Sequence, residues 1–464
     1  MTPVTAVTVV GGGICGLAAA WELCRAGVEV TVLEAGPGFG GRIAATMLAG
    51  RPVDLGADAF LVRAPQTAAV DLCRELGLES ELVAPAAEGA ALWTGGRLRP
   101  LPSPTVLGVP AGLAGLVGVA RSGLLSPAGV ARAAADLVLP RRRSPVDDRS
   151  VDDLVSDRLG RQVARRLVDP LVGGIHAGDS SRLSARAVAP QLWSAAASGR
   201  SLALSLGRQR RASVPAARLV FSHTNSPGPA FRSLNGGLGR LVGVLVDALR
   251  AAGAGLETGV TVRDLAEVGS GYRPVVLAIP AAVAAALVAA ASPEASAALA
   301  RIEHASVVLV ALAYPVGAFP RPLVGTGFLV PAGEGRLLTA CSYGSVKWPG
   351  WAGPEQVVLR ASAGRAGDGR APALDDDELV ERLHAELAEA LGMDRSPDEA
   401  TVARWPGAFP QYSVGHLDRV EAVEAALARD LPGVVLAGAS YRGFGIPACI
   451  AQGRAAARRV LGLT

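Results

Sequence analysis

The pattern of hydrophobic and polar positions is most regular in the first 34 residues. An apolar, β-branched run at residues 7–10 predicts a buried strand that leads into three glycines. Apolar residues then recur with helical spacing over residues 14–25, and Gly27 is a typical helix stop. A second apolar run at residues 28–33 predicts another strand. This order of strand, glycine loop, helix and strand is typical of a βαβ unit.

The glycines of this unit follow the spacing G-x-G-x-x-G. Gly11 permits a tight turn, Gly13 lets the backbone approach a pyrophosphate, and Gly16 allows close packing of helix and strand. Glu34 closes the second strand, where its carboxylate can accept hydrogen bonds from ribose hydroxyls and would repel a 2′-phosphate. The pattern therefore predicts dinucleotide binding at a helix N-terminus. A helix that merely packs tightly on a strand through Gly16 is the structural alternative.

Two more small-residue loops follow this unit. Residues 35–42 form a second Gly-rich loop that ends at Arg42, and residues 53–60 place Gly56 in a loop after a short strand. An NAD dehydrogenase does not need the second loop, whereas a larger dinucleotide with a tricyclic ring would use its backbone N–H groups and its fixed cation. A plain β-turn is the alternative for residues 53–60.

Further along the chain the pattern predicts helices before a second sheet. An amphipathic helix is predicted at residues 70–82, and a hairpin is predicted around Gly95 and Gly96. Helical spacing continues over residues 107–217, where the Arg-rich end at residues 207–213 predicts a polar linker.

Short apolar runs dominate the second half of the chain. They predict strands at residues 275–279, at 307–312 and from Val357 onward, which together suggest a mostly antiparallel sheet. The final stretch, residues 433–461, repeats the order of strand, Gly-rich loop and helix.

Composition narrows the class of protein. The 464 residues are 50% hydrophobic, and 45 basic against 41 acidic residues give a net charge of +4. Lys347 is the only lysine, and the only basic run is at residues 141–143, so nucleic-acid binding is not expected. The five cysteines and five histidines are scattered without metal-ligand spacing, which predicts no metal site and a reducing, cytoplasmic location.

Two uncharged stretches raise the question of a membrane. Residues 100–120 are interrupted by prolines, and residues 274–293 are predicted as a strand followed by an Ala-rich helix, so neither is expected to span a bilayer. Peripheral membrane contact by the helical region stays open, and the sequence gives no oligomeric state.

The order of motifs resembles the flavin monoamine-oxidase-like superfamily, and within it the bacterial coproporphyrinogen and protoporphyrinogen oxidases. The resemblance covers nearly the whole chain. The more specific segments are VGGIHAGD followed by LS, RWPGAFPQYSVGHL and RGFGIP, whereas the glycine motifs are shared across the superfamily.

The resemblance implies non-covalent FAD. It places the first glycines at the pyrophosphate, Glu34 at the ribose, the loop from Gly56 along the isoalloxazine, Val260 at the adenine, and Trp405 with the C-terminal loop over the flavin. The complete predicted cofactor set is Gly11, Gly13, Ile14, Cys15, Gly16, Glu34, Ala35, Gly41, Arg42, Gly56, Ala57, Asp58, Ala59, Val260, Trp405, Gly445, Ile446 and Pro447.

This chain departs from the family pattern at two positions. Cys15 stands where the first glycine loop usually has Thr or Ser, and Ala448 replaces an acidic residue after G-I-P. The strand predicted near residues 305–312 lacks the lysine that related amine oxidases place near flavin N5, which argues against amine oxidation.

The resemblance further implies porphyrinogen oxidation with O2 as acceptor and H2O2 as product. We expect coproporphyrinogen III as substrate, with protoporphyrinogen IX as the alternative and another amine-oxidase-like or carotenoid-desaturase-like reaction as less favoured. A flavin-binding protein without activity is the non-enzymatic alternative. No catalytic side chain stands out, and Arg63, Arg97 and Arg99 are the candidates for binding the propionates.

The expected fold is α/β, with a Rossmann-like FAD-binding domain interleaved with an α+β substrate domain and a helical domain. We assign residues 1–75, 222–275 and 425–464 to the first, 76–105 and 276–424 to the second, and 106–221 to the third.

Overall fold

The computed structural model describes residues 4–62, 66–139, 147–220, 230–268 and 273–463, and for residues 213–220 it describes the backbone alone. The strands are β1 (Ala6–Val10), β2 (Glu29–Glu34), β3 (Ala45–Leu48), β4 (Arg51–Asp54), β5 (Phe60–Leu61), β6 (Leu82–Val83), β7 (Ala91–Trp93), β8 (Leu98–Pro100), β9 (Thr105–Val106), β10 (Val109–Pro110), β11 (Phe231–Leu234), β12 (Gly255–Thr258), β13 (Val275–Leu277), β14 (His304–Pro315), β15 (Gly327–Leu329), β16 (Leu338–Ser342), β17 (Gln356–Ala363), β18 (Glu399–Pro410) and β19 (Val434–Leu436).

The helices are α1 (Ile14–Arg25), α2 (Ala68–Glu75), α3 (Gly112–Arg121), α4 (Pro127–Ala134), α5 (Val151–Leu159), α6 (Arg161–Val163), α7 (Asp169–His176), α8 (Ala185–Val188), α9 (Pro190–Ser198), α10 (Leu202–Val220), α11 (Gly239–Ala251), α12 (Ala281–Val288), α13 (Pro293–Ala300), α14 (Gly344–Lys347), α15 (Arg370–Ala373), α16 (Asp376–Leu391), α17 (His416–Asp430) and α18 (Ile446–Val460). A π-helical turn, Ala164–Val168, joins α6 to α7.

A parallel five-stranded sheet, in the order β12-β2-β1-β13-β19, forms the first layer. All five residues of β1 are buried, as expected for a central strand with helices on both faces. Helices α1, α11 and α18 share one apolar core with β1, and α12, α13 and α17 share another with β13. The sheet therefore gathers strands from the beginning, middle and end of the chain.

The second sheet has seven strands in the order β18-β14-β17-β16-β15-β7-β8. Every neighbouring pair is antiparallel except β15 with β7. Tyr314 on β14 and Leu359 on β17 lie in a core that α16 covers through Leu379, Leu383 and Leu387. Strands β18 and β8 form the two edges of this sheet.

The region from α3 to α10 is helical and has its own buried cluster, which includes Leu154, Leu167 and Leu192. The predicted polar linker at residues 207–213 is wrong, because these residues belong to the 19-residue helix α10. Arginine, glutamine and alanine are good helix formers, so a polar Arg-rich segment can extend a helix whose other face is buried.

Several predicted elements are confirmed. Helix α1 has the predicted bounds, and the predicted strand and Ala-rich helix are β13 and α12. The predicted helix at residues 70–82 is shorter than expected, because Gly77 with φ 73° interrupts it after α2. The α/β class, with a mostly antiparallel second sheet and a helical region, is confirmed. The precise domain boundaries stay a prediction.

Across the described ranges, none of the helices combines the length and the apolar character needed to cross a bilayer.

Candidate active site

The first glycine loop has no room for side chains at its two outer glycines. Gly11 has φ 105°, and a Cβ there would lie 2.4 Å from the carbonyl oxygen of Ala278 on the neighbouring strand connection. A Cβ on Gly16 would lie 1.9 Å from the carbonyl oxygen of Gly11. The backbone of this loop is thus packed directly against its neighbours. Gly13 at the N-terminus of α1 is partly exposed, at a position where a helix can bind a phosphate group.

The two glycine loops lie side by side. Gly40 donates its N–H to the carbonyl of Gly12 at 2.9 Å, and Gly13 forms an isolated β-bridge with Gly40. A Cβ on Gly41, which has φ 59°, would lie 3.2 Å from the Cα of Gly13. The structure therefore brings Gly13 and Gly41 together, as a shared pyrophosphate site requires.

Glu34 joins the loops at the end of β2. Its carboxylate accepts hydrogen bonds from the N–H groups of Gly12 and Gly36, each at 2.7 Å. Val260 lies beside it and donates its N–H to the Glu34 carbonyl at 2.9 Å, which leaves the Val260 carbonyl as the group to test for adenine contact. Ala35, the residue after Glu34, is exposed at the same edge.

The first turn of α1 is buried on its inner side. Ile14 and Cys15 are both buried, and burial raises the pKa of the Cys15 thiol well above its usual value. A Cβ on Gly453 of α18 would lie 2.2 Å from the carbonyl oxygen of Cys15. Cys15 therefore fills a small space where the two helices meet.

Arg42 connects the first layer to the edge of the second sheet. One of its guanidinium nitrogens, Nη2, donates to the carbonyl of Gly407 on β18 at 3.4 Å. Burial lowers the pKa of Arg42, while the nearby Cys449 and Tyr412 act in the opposite direction. A largely buried arginine at the junction of three elements fits a fixed cation beside a bound cofactor.

The loop from residue 54 to 59 packs tightly on Arg42. A Cβ on Gly56 would lie 2.0 Å from the Arg42 carbonyl oxygen, and Ala57 donates its N–H to that same oxygen at 3.1 Å. Trp405 on β18 donates its indole N–H to the carbonyl of Leu55 at 2.9 Å. Arg42, Gly56 and Trp405 therefore come together, although they lie far apart in the sequence.

Asp58 points away from this loop into the second sheet. Its carboxylate accepts hydrogen bonds from the Lys347 ammonium at 2.7 Å and the Trp348 indole N–H at 3.0 Å, and it forms an ion pair with the Arg360 guanidinium at 3.0 Å. Despite its burial, these cations hold the pKa of Asp58 well below its usual range. Only the backbone of Asp58 can face a flavin. Ala59, next in the chain, is partly buried.

Sequence reasoning missed the partners of Asp58. Lys347 and Trp348 lie in KWPG, one of the segments that carry the family resemblance, and Arg360 lies in the strand predicted from Val357 onward, but no pattern in the sequence indicated that they contact Asp58. The available signal was that Lys347 is the only lysine in an arginine-rich chain.

The C-terminal loop leads into α18. Gly445 has an extended backbone. Pro447 lies in the first turn, where the N–H group that proline lacks would not form an intrahelical hydrogen bond. Ile446 and Pro447 are buried, while Gly445 is exposed at the start of the helix. Cys449 is buried, and burial raises its pKa to about 12, so its thiol is uncharged at neutral pH.

Phe444 precedes this turn and lies among aromatic rings. His176, at the end of α7, contacts it edge-on with ring centroids 4.8 Å apart, and Phe409 and Tyr412 contact it at 6.1 and 6.5 Å. Burial lowers the pKa of His176 to about 4, so the ring is neutral at pH 7. Ile175, its neighbour in α7, is 45% exposed.

The three predicted propionate-binding arginines are not brought to these loops. Arg63 lies outside the described residues. Arg97 is exposed at the tip of the β7–β8 hairpin, and Arg99 on β8 donates to the Gly123 carbonyl at 3.3 Å. Strand β8 is the edge opposite β18, six strand positions away, which corresponds to roughly 29 Å across a flat sheet.

A cleft of about 640 Å³ lies next to that hairpin, between the helical region and the second sheet. Thr94 and Gly95 line it, together with Arg165 and Arg166 of the π-helical turn. It also contains carboxylates: Asp152, Asp169, Asp179 and Glu334. The cleft is therefore mixed in charge.

The residues present fit FAD. Glycines whose Cβ atoms would collide with backbone form a cradle at the N-terminus of α1, and a carboxylate closes the adjacent strand. The same layer also supplies a second helix N-terminus, that of α18, and the partly buried Arg42, which reaches β18 of the second sheet. Within the described part of the chain, no group of three or more His, Cys, Asp or Glu side chains could hold a metal ion.

Comparison with known proteins agrees with this geometry. The model of the family described as flavin containing amine oxidoreductase matches residues 14–461. Coproporphyrinogen III oxidase of Mycobacterium leprae is 37% identical over 96% of each chain, and that of Bacillus subtilis is 33% identical over 97% of this chain and 96% of its own. A solved structure from Exiguobacterium sp. 255-15, named as a protoporphyrinogen oxidase, has a TM-score of 0.85, 27% identity and 99% coverage of both chains.

The expected superfamily, the flavin cofactor and the oxidoreductase class are thereby confirmed. The chain belongs to the flavin-containing amine oxidoreductase family.

Proposed function

We propose that this protein oxidises coproporphyrinogen III to coproporphyrin III with FAD as cofactor and O2 as electron acceptor, as a step in haem biosynthesis. The observation that carries the proposal is the full-length similarity to relatives named coproporphyrinogen III oxidase, at 33 and 37% identity. The lack of lysine throughout β14 supports it against amine oxidation.

The chemistry of this substrate asks little of the protein. A porphyrinogen loses six electrons in total and becomes an aromatic macrocycle, so the driving force lies in the substrate. FAD supplies the acceptor for each pair of electrons and their transfer to O2, with H2O2 as product. The chain's own task is to bind and orient the two ring systems and to exclude water.

The cofactor residues predicted from the sequence form our proposed FAD site. The first glycine loop and Gly41 would hold the pyrophosphate, and Glu34 would accept the ribose hydroxyls. Gly56 and its neighbours would face the isoalloxazine, with Trp405 fixing their backbone through Leu55. The positive end of α18 would face the flavin edge where negative charge develops on reduction.

The wall beside α18 fits a large apolar substrate. Phe444 presents an aromatic ring that His176 and Phe409 hold in place, and the 45% exposed Ile175 extends this apolar surface. His176 is buried, and among the described residues its Nδ1 has no hydrogen-bond partner. Because burial lowers its pKa to about 4, the ring adds no charge here at neutral pH. Such a wall would keep water from the reacting carbon.

Anaerobic titration of the FAD-loaded protein tests the proposal. Coproporphyrinogen III should bleach the flavin absorbance, and admission of air should restore it with porphyrin fluorescence and peroxide. Faster bleaching by protoporphyrinogen IX would reassign the substrate, in line with the name of the Exiguobacterium structure. Bound flavin that neither compound reduces would contradict the proposal and leave amine substrates and a non-enzymatic flavin protein to test.

The five cysteines are all free thiols, which supports a cytoplasmic location for this reaction. Peripheral contact of the helical region with a membrane would be checked by co-sedimentation with anionic vesicles.

A further inference from the structure

The loop that would face the flavin is held from behind by the second sheet. Arg360 Nη1 donates to the carbonyls of Asp54 at 3.0 Å and of Gly56 at 2.9 Å, and Trp405 donates to the intervening carbonyl of Leu55. Three consecutive carbonyls therefore point toward the second sheet. Their orientation is set by donors on β17 and β18 rather than by the loop itself.

Charged groups meet behind the same loop. The Asp58 carboxylate contacts both Lys347 and Arg360, and the side chains of all three are between 12 and 17% exposed. Asp54 lies next to them, and its carboxylate accepts the N–H of Leu238, 3.1 Å away, at the start of α11. Two carboxylates and two cations thus share one largely buried space.

These charges balance. With both carboxylates ionised, Asp54 and Asp58 contribute two negative charges, and Lys347 and Arg360 contribute two positive charges. In a partly buried space such charges are screened less than at the surface, so the loss of one cation leaves a negative field that acts through the loop. A flavin gains negative charge on reduction, so its reduced form would feel that field most.

We propose that Lys347 and Arg360 neutralise the two carboxylates behind the flavin-facing loop, and that this neutrality sets the reduction potential of the bound flavin. Lys347 acts through Asp58 and not on the substrate, so it is a positioning residue. The inference rests on the proposed placement of FAD along Gly56.

The test compares the midpoint potential of bound FAD in three variants at pH 8. Lys347→Met should lower the potential, with about a tenfold loss of preference for reduced over oxidised flavin. That loss corresponds to about 30 mV for a two-electron couple. Asp58→Asn should raise the potential, because it removes a negative charge, and Lys347→Arg should restore the wild-type value.

Opposite shifts separate electrostatics from loosening of the loop. A loosened loop would weaken the binding of oxidised and reduced FAD alike, so the Kd for FAD would rise while the potential stayed the same. Arg336→Met is the matched control. Arg336 forms an ion pair with Glu389 and lies close to Leu338, at one end of β16, whereas Ser342, the strand partner of Arg360, lies at the other end. It should leave the potential unchanged.

The inference would be overturned if the midpoint potential shifted in the same direction in Lys347→Met and Asp58→Asn, or shifted in neither. FAD binding by the wild type would still be consistent with the proposed function in that case. A wild-type chain that binds no FAD would overturn both. If Lys347→Met fails to fold, the sign of the shift in Asp58→Asn, measured against Lys347→Arg, still decides.

Discussion

The two edges of the seven-stranded sheet differ in their contacts and in their exposure to solvent. At the β18 edge, Trp405 and Gly407 contact the loops of the first layer through partly buried hydrogen bonds to Leu55 and Arg42. At the β8 edge, Arg97 is exposed and Arg99 makes one exposed hydrogen bond to a backbone carbonyl. The first edge is locked by contacts between distant parts of the chain, and the second is open to solvent.

This difference fits our proposal that the loops at the β18 edge hold a cofactor, and it sharpens the prediction that arginines at the β8 edge bind a charged substrate. A permanently bound cofactor is held by backbone that cannot move, so its site is built from glycines and buried donors. A substrate's carboxylates, which bind and dissociate in each turnover, can pair with exposed arginines. Such pairs contribute little binding free energy, because water competes for both partners. The following predictions test this division, starting with the largest effect.

Gly16→Ala should strongly weaken FAD binding. The new Cβ would lie 1.9 Å from the carbonyl oxygen of Gly11, so the loop and α1 must separate. Overpacking of this kind costs about 3 kcal/mol, which is roughly a hundredfold in Kd. FAD titration followed by fluorescence measures it. Gly243→Ala is the control, because a Cβ there would have no atom of the described residues within 4 Å, and its Kd for FAD should match that of the wild type. Tight FAD binding by Gly16→Ala would contradict a rigid cradle.

The first βαβ unit and the β7–β8 hairpin show which elements could be predicted from the sequence. The βαβ unit is local, so the glycine spacing and the bounds of α1 followed from neighbouring residues alone. The same holds for the hairpin at Gly95 and Gly96, which joins β7 to β8. Local turn chemistry and periodicity were sufficient for these elements.

Contacts across the chain could not be read in this way. Lys347 and Asp58 are 289 positions apart, and Trp405 and Leu55 are 350 positions apart. Their pairing depends on how two sheets dock, which no local pattern encodes. The prediction of a linker at the Arg-rich end of the helical region was wrong for the same reason. Its composition is compatible with a solvated linker and with a helix, and only the packing of the fold distinguishes the two.

The stability of the fold should decrease in acid. Burial lowers the pKa of His176 and of His416 to about 4, so both are kept neutral in the folded state. The unfolded chain protonates them near their usual value of about 6.5, and stability is lost as the pH falls from there toward 4. Each histidine should lower the free energy of unfolding by about 2 kcal/mol between pH 7 and pH 5.

Asp54 works in the opposite direction. Burial raises its pKa to about 6, so the folded state binds this proton at a higher pH than the unfolded chain does. Its protonation therefore increases the free energy of unfolding by about 1.4 kcal/mol between pH 7 and pH 5. Urea unfolding should therefore show a net loss of about 2 kcal/mol in the wild type. His176→Phe should nearly abolish the loss, and Asp54→Asn should enlarge it. Equal slopes in both variants would show that these groups do not control acid stability.

The smallest effect belongs to the open edge. We expect Arg97→Ala and Arg99→Ala each to raise the KM for coproporphyrinogen III by two- to fivefold, because an exposed charge pair contributes up to about 1 kcal/mol. Steady-state kinetics with peroxide detection measures this, and the Kd for FAD should stay unchanged because β18, not β8, contacts the cofactor loops.

Both departures from this range are informative. An unchanged KM in both variants would remove these arginines from the substrate site and shift attention to Arg165 and Arg166 across the neighbouring cleft. A rise beyond tenfold would mean that the hairpin closes over the substrate and loses its exposure. The two edges would then differ only while the substrate is absent, because binding would bury the open one as deeply as the cofactor side is buried throughout.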